Sequence, residues 1–213
     1  MKTLNVEKIA TIAHASEISG YFNQKSLESH LVSVVNWNEY SYKPEVKFRI
    51  AHDGERIYIN WKINEEEIKA VCEEDQGEVW KDSCAEFFVS FNDSPIYYNI
   101  ESNCIGKILV ATGVDRNDRT PVPAQYLAKV QRYSSLGNKA VHQTAGNWEL
   151  SLIIPKELFY LDEINDLSGI TAHANFYKCG DDLKQPHFLS WNPIDNPTPN
   201  FHLSNFFGKL QFK

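Results

Sequence analysis

Residues 85–103, AEFFVSFNDSPIYYNIESN, decide the fold of this chain. Ala85, Phe87, Val89 and Phe91 alternate with Glu86, Phe88 and Ser90. After NDSP the alternation resumes, with Ile96, Tyr98 and Ile100 against Tyr97, Asn99 and Glu101. A period of two puts successive side chains on opposite faces of a strand. With Asp93-Ser94 as a two-residue turn, Phe91 meets Ile96, Val89 meets Tyr98 and Phe87 meets Ile100. On the other face Ser90 meets Tyr97, Phe88 meets Asn99 and Glu86 meets Glu101. A slip of one residue would carry every apolar side chain to the wrong face, so the pairing is strongly specified. It sets two carboxylates directly opposite one another, with Cβ atoms ~5 Å apart, an unfavourable pair unless a proton, a cation or a ligand resolves it. Lys107, the one charge in IGKILVATG, is expected beside Glu101 on the next strand, where it would offset the repulsion.

The same period extends outward. In residues 46–63, VKFRIAHDGERIYINWKI, Val46, Phe48 and Ile50 share a face, and the chain turns at Asp53-Gly54. It returns with Ile57, Ile59, Trp61 and Ile63 inward, which predicts a second hairpin. The acidic NEEEIKAVCEEDQGE that follows is expected to be a short helix or loop with solvated carboxylates, a cation site being the weaker option. Residues 131–155 predict strands ending in an amphipathic one with Trp148, Leu150 and Leu152 inward. A single helical turn opened by Pro155 follows. In residues 169–180, Ala172, Ala174 and Phe176 oppose Thr171, His173, Asn175 and Tyr177, a strand with one polar, aromatic-bearing face. FFGKLQF closes the chain as a last strand. The loop DRNDRTPVPAQY reads as solvated, with local ion pairs. In the first 44 residues a short helix near residues 15–23 and an edge strand in LVSVVNW are expected, forming an N-terminal extension packed on the rest. About ten short strands with almost no helix predict an all-β fold. It is an antiparallel β-sandwich of the jelly-roll or immunoglobulin-like kind, one domain spanning residues 1–213.

Composition narrows the partners. The chain has 213 residues, 42% hydrophobic and 23% charged, enough for one large core. A net charge of -7 and a pI near 5.5, without clustered Lys and Arg, argue against nucleic acid and anionic membranes as partners. No run of 18 apolar residues suggests a membrane span, and the first residues lack the apolar core of a signal peptide. A cytoplasmic location is the default expectation; a removed leader would make it periplasmic or secreted. Cys72, Cys84, Cys104 and Cys179 have no CxxC spacing, and His173, His187 and His202 stand at no ligand spacing from them, so free thiols are expected rather than zinc. Met1 is the only methionine, which disfavours a Met/His haem site.

Trp80 and Trp191 each stand at the end of a strand-like run among polar residues, Lys81, Asp82 and Ser83 in one case and Asn192 and Asp195 in the other. An indole so placed can stack on a sugar ring. The predicted binding face carries Glu86, Phe88, Asn99, Glu101, Asn175 and Tyr177, flanked by Trp80 and Trp191, with Lys107 nearby. Oligosaccharide or polysaccharide is the expected partner, and no catalytic residue is assigned. Glu86 and Glu101 as the acid and base of a glycoside-processing enzyme are the rival reading, since retaining hydrolysis wants carboxyls ~5 Å apart. Against it, a shallow sheet face offers little to exclude water. A partner-binding domain without a small ligand is the third reading.

VWKDSCAEFFVSF followed by YYNIESNCIG, then NFYKCGDDLKQPHFLSWNPI, then FHLSNFFGKLQF, resembles the family 9 carbohydrate-binding modules, including the stand-alone family-9-like domains of gut bacteria. The resemblance covers residues 47–213 and carries three separated motifs in order. It implies a jelly-roll-like sandwich in which two tryptophans, here Trp80 and Trp191, clamp a terminal sugar ring while polar side chains satisfy its hydroxyls. Some members prefer the reducing ends of glucans and xylans, and the family is best known as an appendage to xylanases in polysaccharide catabolism. Glu86 falls six residues after the first Trp, and Lys107 where the family tends to place a basic residue. No organic cofactor is implied. Structural calcium occurs in the family, but residues 65–75 have no spacing that commits them as ligands.

Overall fold

The computed structural model describes residues 1–213. In chain order the elements are β1 (Thr3–Lys8), α1 (Ile18–Gln24), β2 (His30–Leu31), β3 (Val34–Val35), β4 (Glu45–His52), β5 (Arg56–Ala70), β6 (Cys84–Phe91) and β7 (Tyr97–Asn103). Then come β8 (Ile108–Gly113), β9 (Arg119–Pro121), α2 (Ala124–Leu127), β10 (Gln131–Ser134), β11 (Val141–Pro155), β12 (Thr171–Cys179), β13 (Phe188–Ser190) and β14 (Gly208–Phe212). The strands join in the order β10-β11-β5-β4-β1-β14-β12-β6-β7-β8-β9, a curled sheet whose two halves face one another as a β-sandwich. Phe48 of β4 stacks on Phe176 of β12 with ring centroids 3.8 Å apart, so the two halves meet through their inner faces. No helix is long and apolar enough to cross a membrane.

The pairing expected from the alternation is the one formed: Glu86 lies opposite Glu101, Phe87 opposite Ile100, Phe88 opposite Asn99 and Val89 opposite Tyr98. The turn itself is one residue earlier than expected. Asn92 and Asp93 take φ of 53° and 54°, and the Ser94 N–H donates to the Phe91 carbonyl at 2.9 Å. Two central residues with positive φ give the turn whose twist matches a hairpin. The surplus residues are absorbed at Ser94–Pro95, where the Ile96 N–H donates to Ser94 Oγ at 3.1 Å, and the register survives. In the β4–β5 hairpin the residues expected inward do face one another, Phe48 with Trp61 and Ile50 with Ile59, around Gly54 at φ 96°.

Three expectations are corrected. Residues 64–70 are neither helix nor loop: β5 runs on through NEEEIKA, paired to β11 from Arg56 opposite Pro155 to Ala70 opposite Val141. Ile68 and Ala70 are buried there, and that burial outweighs the weak strand propensity of the acidic run. Glu65 is correspondingly not solvated but 2% exposed. The first 44 residues contain the expected helix, whose Ile18 and Phe22 pack on Ala51, Tyr58 and Ile153, the outer face of one half. LVSVVNW holds only short strand segments, β2 reaching Leu31 and β3 paired to β13 alone, and the strand that the sequence reading missed is β1. β1 runs parallel to both β14 and β4, linking the halves and making the sheet mixed rather than wholly antiparallel.

Candidate functional site

α1 covers the outer face of one half, whereas loops cover the outer face of the other. Trp37, Val79, Ile194, Phe201 and Phe207 pack there on Phe88, Tyr97 and Tyr177. Between these loops and the sheet lies a cleft of ≈ 570 Å³, within the range that holds a small ligand. Trp80, half-buried in the 3-10 turn Val79–Lys81, lines it together with Tyr40, Phe188 and Phe201. The polar lining includes Glu86, Asn99, Glu101, Asp181, Arg116 and Arg119.

Glu86 and Glu101 project into the cleft from opposed positions of β6 and β7, 2% and 5% exposed. Asn99 Nδ2 donates to Glu101 Oε1 at 2.8 Å, and the Cys179 thiol donates to Glu86 Oε1 at 2.9 Å. Burial pushes both carboxyls above their usual range; for Glu86 the opposing Glu101 adds to it, and for Glu101 the Asn99 amide works against it. A carboxyl kept protonated in this way can donate as well as accept. Asp181, on the cleft wall, is raised to about 6 by burial and then by Asp182.

The nearest cation acting on Glu101 is Arg119, not Lys107, and Lys178 is the one acting on Glu86. Arg119 begins β9, and its guanidinium lies 4.3 Å from the Tyr97 ring centroid, with Nη2 donating to Asn99 Oδ1 and to the Ala111 carbonyl. Its Nε and Nη1 are buried without a hydrogen-bond partner in the protein. Lys107 fails because the chain has already turned: Gly106 takes φ 77°, the Asn103 N–H donates to the Lys107 carbonyl, and Glu101 faces Leu109 across β7 and β8.

Trp191 is a core residue, 4% exposed, packed edge-on against Phe48 and Phe176. Gly208 makes the space for it: a Cβ there would stand 2.4 Å from the indole. Leu189 and Trp191 point inward together, and the polar residues that follow belong to the covering loop, so no two-tryptophan clamp forms. Asn175 and Tyr177 lie beneath the cleft instead of lining it. Asn175 spends its amide on the Asn192 backbone at 3.0 and 2.8 Å. Tyr177 donates to the Phe201 carbonyl and stacks on the Phe201 ring at 4.1 Å. Both hold the loops that form the wall. Of the nine residues expected at the site, Trp80, Glu86, Asn99 and Glu101 converge there, and Phe88 lies buried under the covering loops.

Sequence reasoning missed Arg116, Arg119, Asp181, Tyr40, Phe188 and Phe201. For Arg119 a signal existed, since Arg119-Thr120-Pro121 can form a short edge strand on which positions 119 and 121 share a face. In the acidic segment Glu65 pairs with Lys178, Glu67 with His142 and Asp75 with Arg132, so its carboxylates diverge toward separate partners.

A family model described as carbohydrate-binding family 9 matches residues 17–212. A solved structure from Bacteroides uniformis ATCC 8492, titled as a candidate carbohydrate-binding protein, is 40% identical. It has a TM-score of 0.96 over 100% of this chain and 99% of that one. A family 9 module from Caldicellulosiruptor kristjanssonii in complex with glucose has a TM-score of 0.66 at 12% identity, over 100% and 96% of the two chains. One in complex with cellotriose has a TM-score of 0.64 at 11% identity, over 100% and 94%. No curated protein matches.

Proposed function

The chain belongs to carbohydrate-binding family 9, and from that membership we propose that the cleft beside Trp80 binds the end of a glucan-type oligosaccharide. The observation that carries the reading is the pair Glu86 and Glu101, with Asn99, on the floor of a cleft whose wall holds a half-buried indole. A pyranose offers C–H groups on its faces and hydroxyls around its edge. Trp80 stacks on the first, while Glu86, Glu101 and Asn99 exchange hydrogen bonds with the second. The structures with glucose and cellotriose support the choice of sugar, at the level of fold.

Binding is favoured over hydrolysis because the family to which the chain belongs is one of carbohydrate-binding modules. Calorimetric titration with cello-oligosaccharides tests the proposal. Trp80→Ala is expected to lose binding while keeping a cooperative melt with little change in Tm; unchanged affinity would refute the site. Product released from aryl glycosides, and lost in Glu101→Gln, would establish the enzyme instead.

A further inference from the structure

We propose that Cys84, Cys179 and Glu86 form a binding site for a thiophilic divalent cation, zinc above all, at the base of the cleft. Cys84 on β6 and Cys179 on β12 are directly opposed across the two adjacent strands. Both thiol sulfurs and a carboxylate oxygen of Glu86 lie within 4.8 Å of one another. Tetrahedral zinc, with Zn–S of about 2.3 Å and Zn–O of about 2.0–2.2 Å, needs its ligand atoms roughly 3.5–3.8 Å apart, so small side-chain adjustments suffice.

The local hydrogen bonding leaves the set available. Cys84 Sγ makes a 3.9 Å contact with the adjacent Ala85 carbonyl and interacts with Cys179, whose Sγ lies 2.9 Å from Glu86 Oε1 and 3.4 Å from the Trp80 carbonyl. Two thiolates and one carboxylate suit a borderline-soft ion, whereas calcium and magnesium take oxygen cages. Cys179 and Glu86 line the cleft, which provides an entry path and leaves a fourth position for water. On binding, each thiol gives up its proton, as does Glu86 where it is protonated. Two or three protons are released, and the ion with its three anionic ligands carries a net charge of about -1.

The inference does not depend on sugar binding and is tested without sugar. Cadmium(II) alone is titrated into reduced, metal-free protein while the thiolate-to-cadmium charge-transfer absorption in the ultraviolet is followed. Saturation at one equivalent is expected. The band should vanish in Cys84→Ala and in Cys179→Ala and persist in Cys72→Ala and Cys104→Ala. Glu86→Gln should keep the band with affinity at least tenfold weaker. Native mass spectrometry of the wild-type protein with zinc, which needs no variant, should show one bound ion accompanied by loss of two or three protons. Absence of the band and of the zinc adduct would overturn the site, as would a band unaffected by the Cys84 and Cys179 variants, or a protein whose Cys84 and Cys179 join in a disulfide rather than bind metal.

Discussion

Trp191→Ala would open a void bordered by Phe48, Phe176 and Gly208, a large-to-small change in a closed core. It is expected to cost roughly 3–5 kcal/mol of stability, read as a lowered denaturant midpoint. The contrast with Trp80→Ala separates a structural indole from a ligand-facing one. Glu101 shows the opposite balance between stability and site. Its folded carboxyl is raised above its ordinary value of 4.5, so ionisation costs the folded state more than the unfolded one. That cost is absent below the unfolded value and grows as pH rises through the raised folded value. Glu101→Gln keeps an oxygen for the Asn99 amide and never ionises. The variant is expected to be more stable than the wild type at about pH 8, to lose that advantage at about pH 4, and to bind sugar more weakly. Equal midpoints at both pH values would show that the pair is not strained by charge.

Between elements, one buried ion pair ties the two halves together. Glu65 of β5 meets Lys178 of β12 at 2.8 Å with neither side chain exposed, and the Trp148 indole N–H donates to Glu65 Oε1 at 2.6 Å. His187 Nε2 accepts from Lys178 Nζ at 2.8 Å, and its Nδ1 donates to the Gln185 carbonyl at 2.9 Å, which fixes the neutral tautomer. Burial and then the Lys178 charge push this imidazole down to about 2. Removing one partner strands a charge, so Glu65→Leu or Lys178→Met alone is expected to cost roughly 3–5 kcal/mol. The double variant should cost clearly less than the sum of the two. Strict additivity in a denaturant-based double-mutant cycle would contradict the coupling.

At the scale of the whole molecule, β1 closes the sandwich, pairing with β14 through residues 3–6 and with β4 through residues 7–8. Deleting residues 1–8 is expected to lower Tm sharply, because Leu4 and Val6 leave the core and both neighbouring strands lose their ladder. An unchanged melt would make β1 a dispensable ornament. This closure was not legible in advance, since a parallel strand announces no turn partner, whereas the two hairpins did announce theirs through alternation, even though the central turn falls one residue earlier than expected. The site divides along the same line. The opposition of Glu86 to Glu101 follows from local register, because one hairpin with one buried face allows one pairing. Arg119 and Phe188, which begin β9 and β13, and Asp181 and Phe201, from loops, reach the cleft from places distant along the chain, and nothing local marks their meeting. Trp191 has polar neighbours in sequence, but its surroundings in space come from β4, β12 and β14. The amino-acid sequence by itself determined the two hairpins, the register of the central one and the opposition of Glu86 to Glu101, because each is set by a period of two within a short span. Tertiary structure alone decided which tryptophan faces the cleft, which cation faces the acids, and that two cysteines stand side by side. Those contacts depend on how loops and strands far apart in sequence fill the same volume.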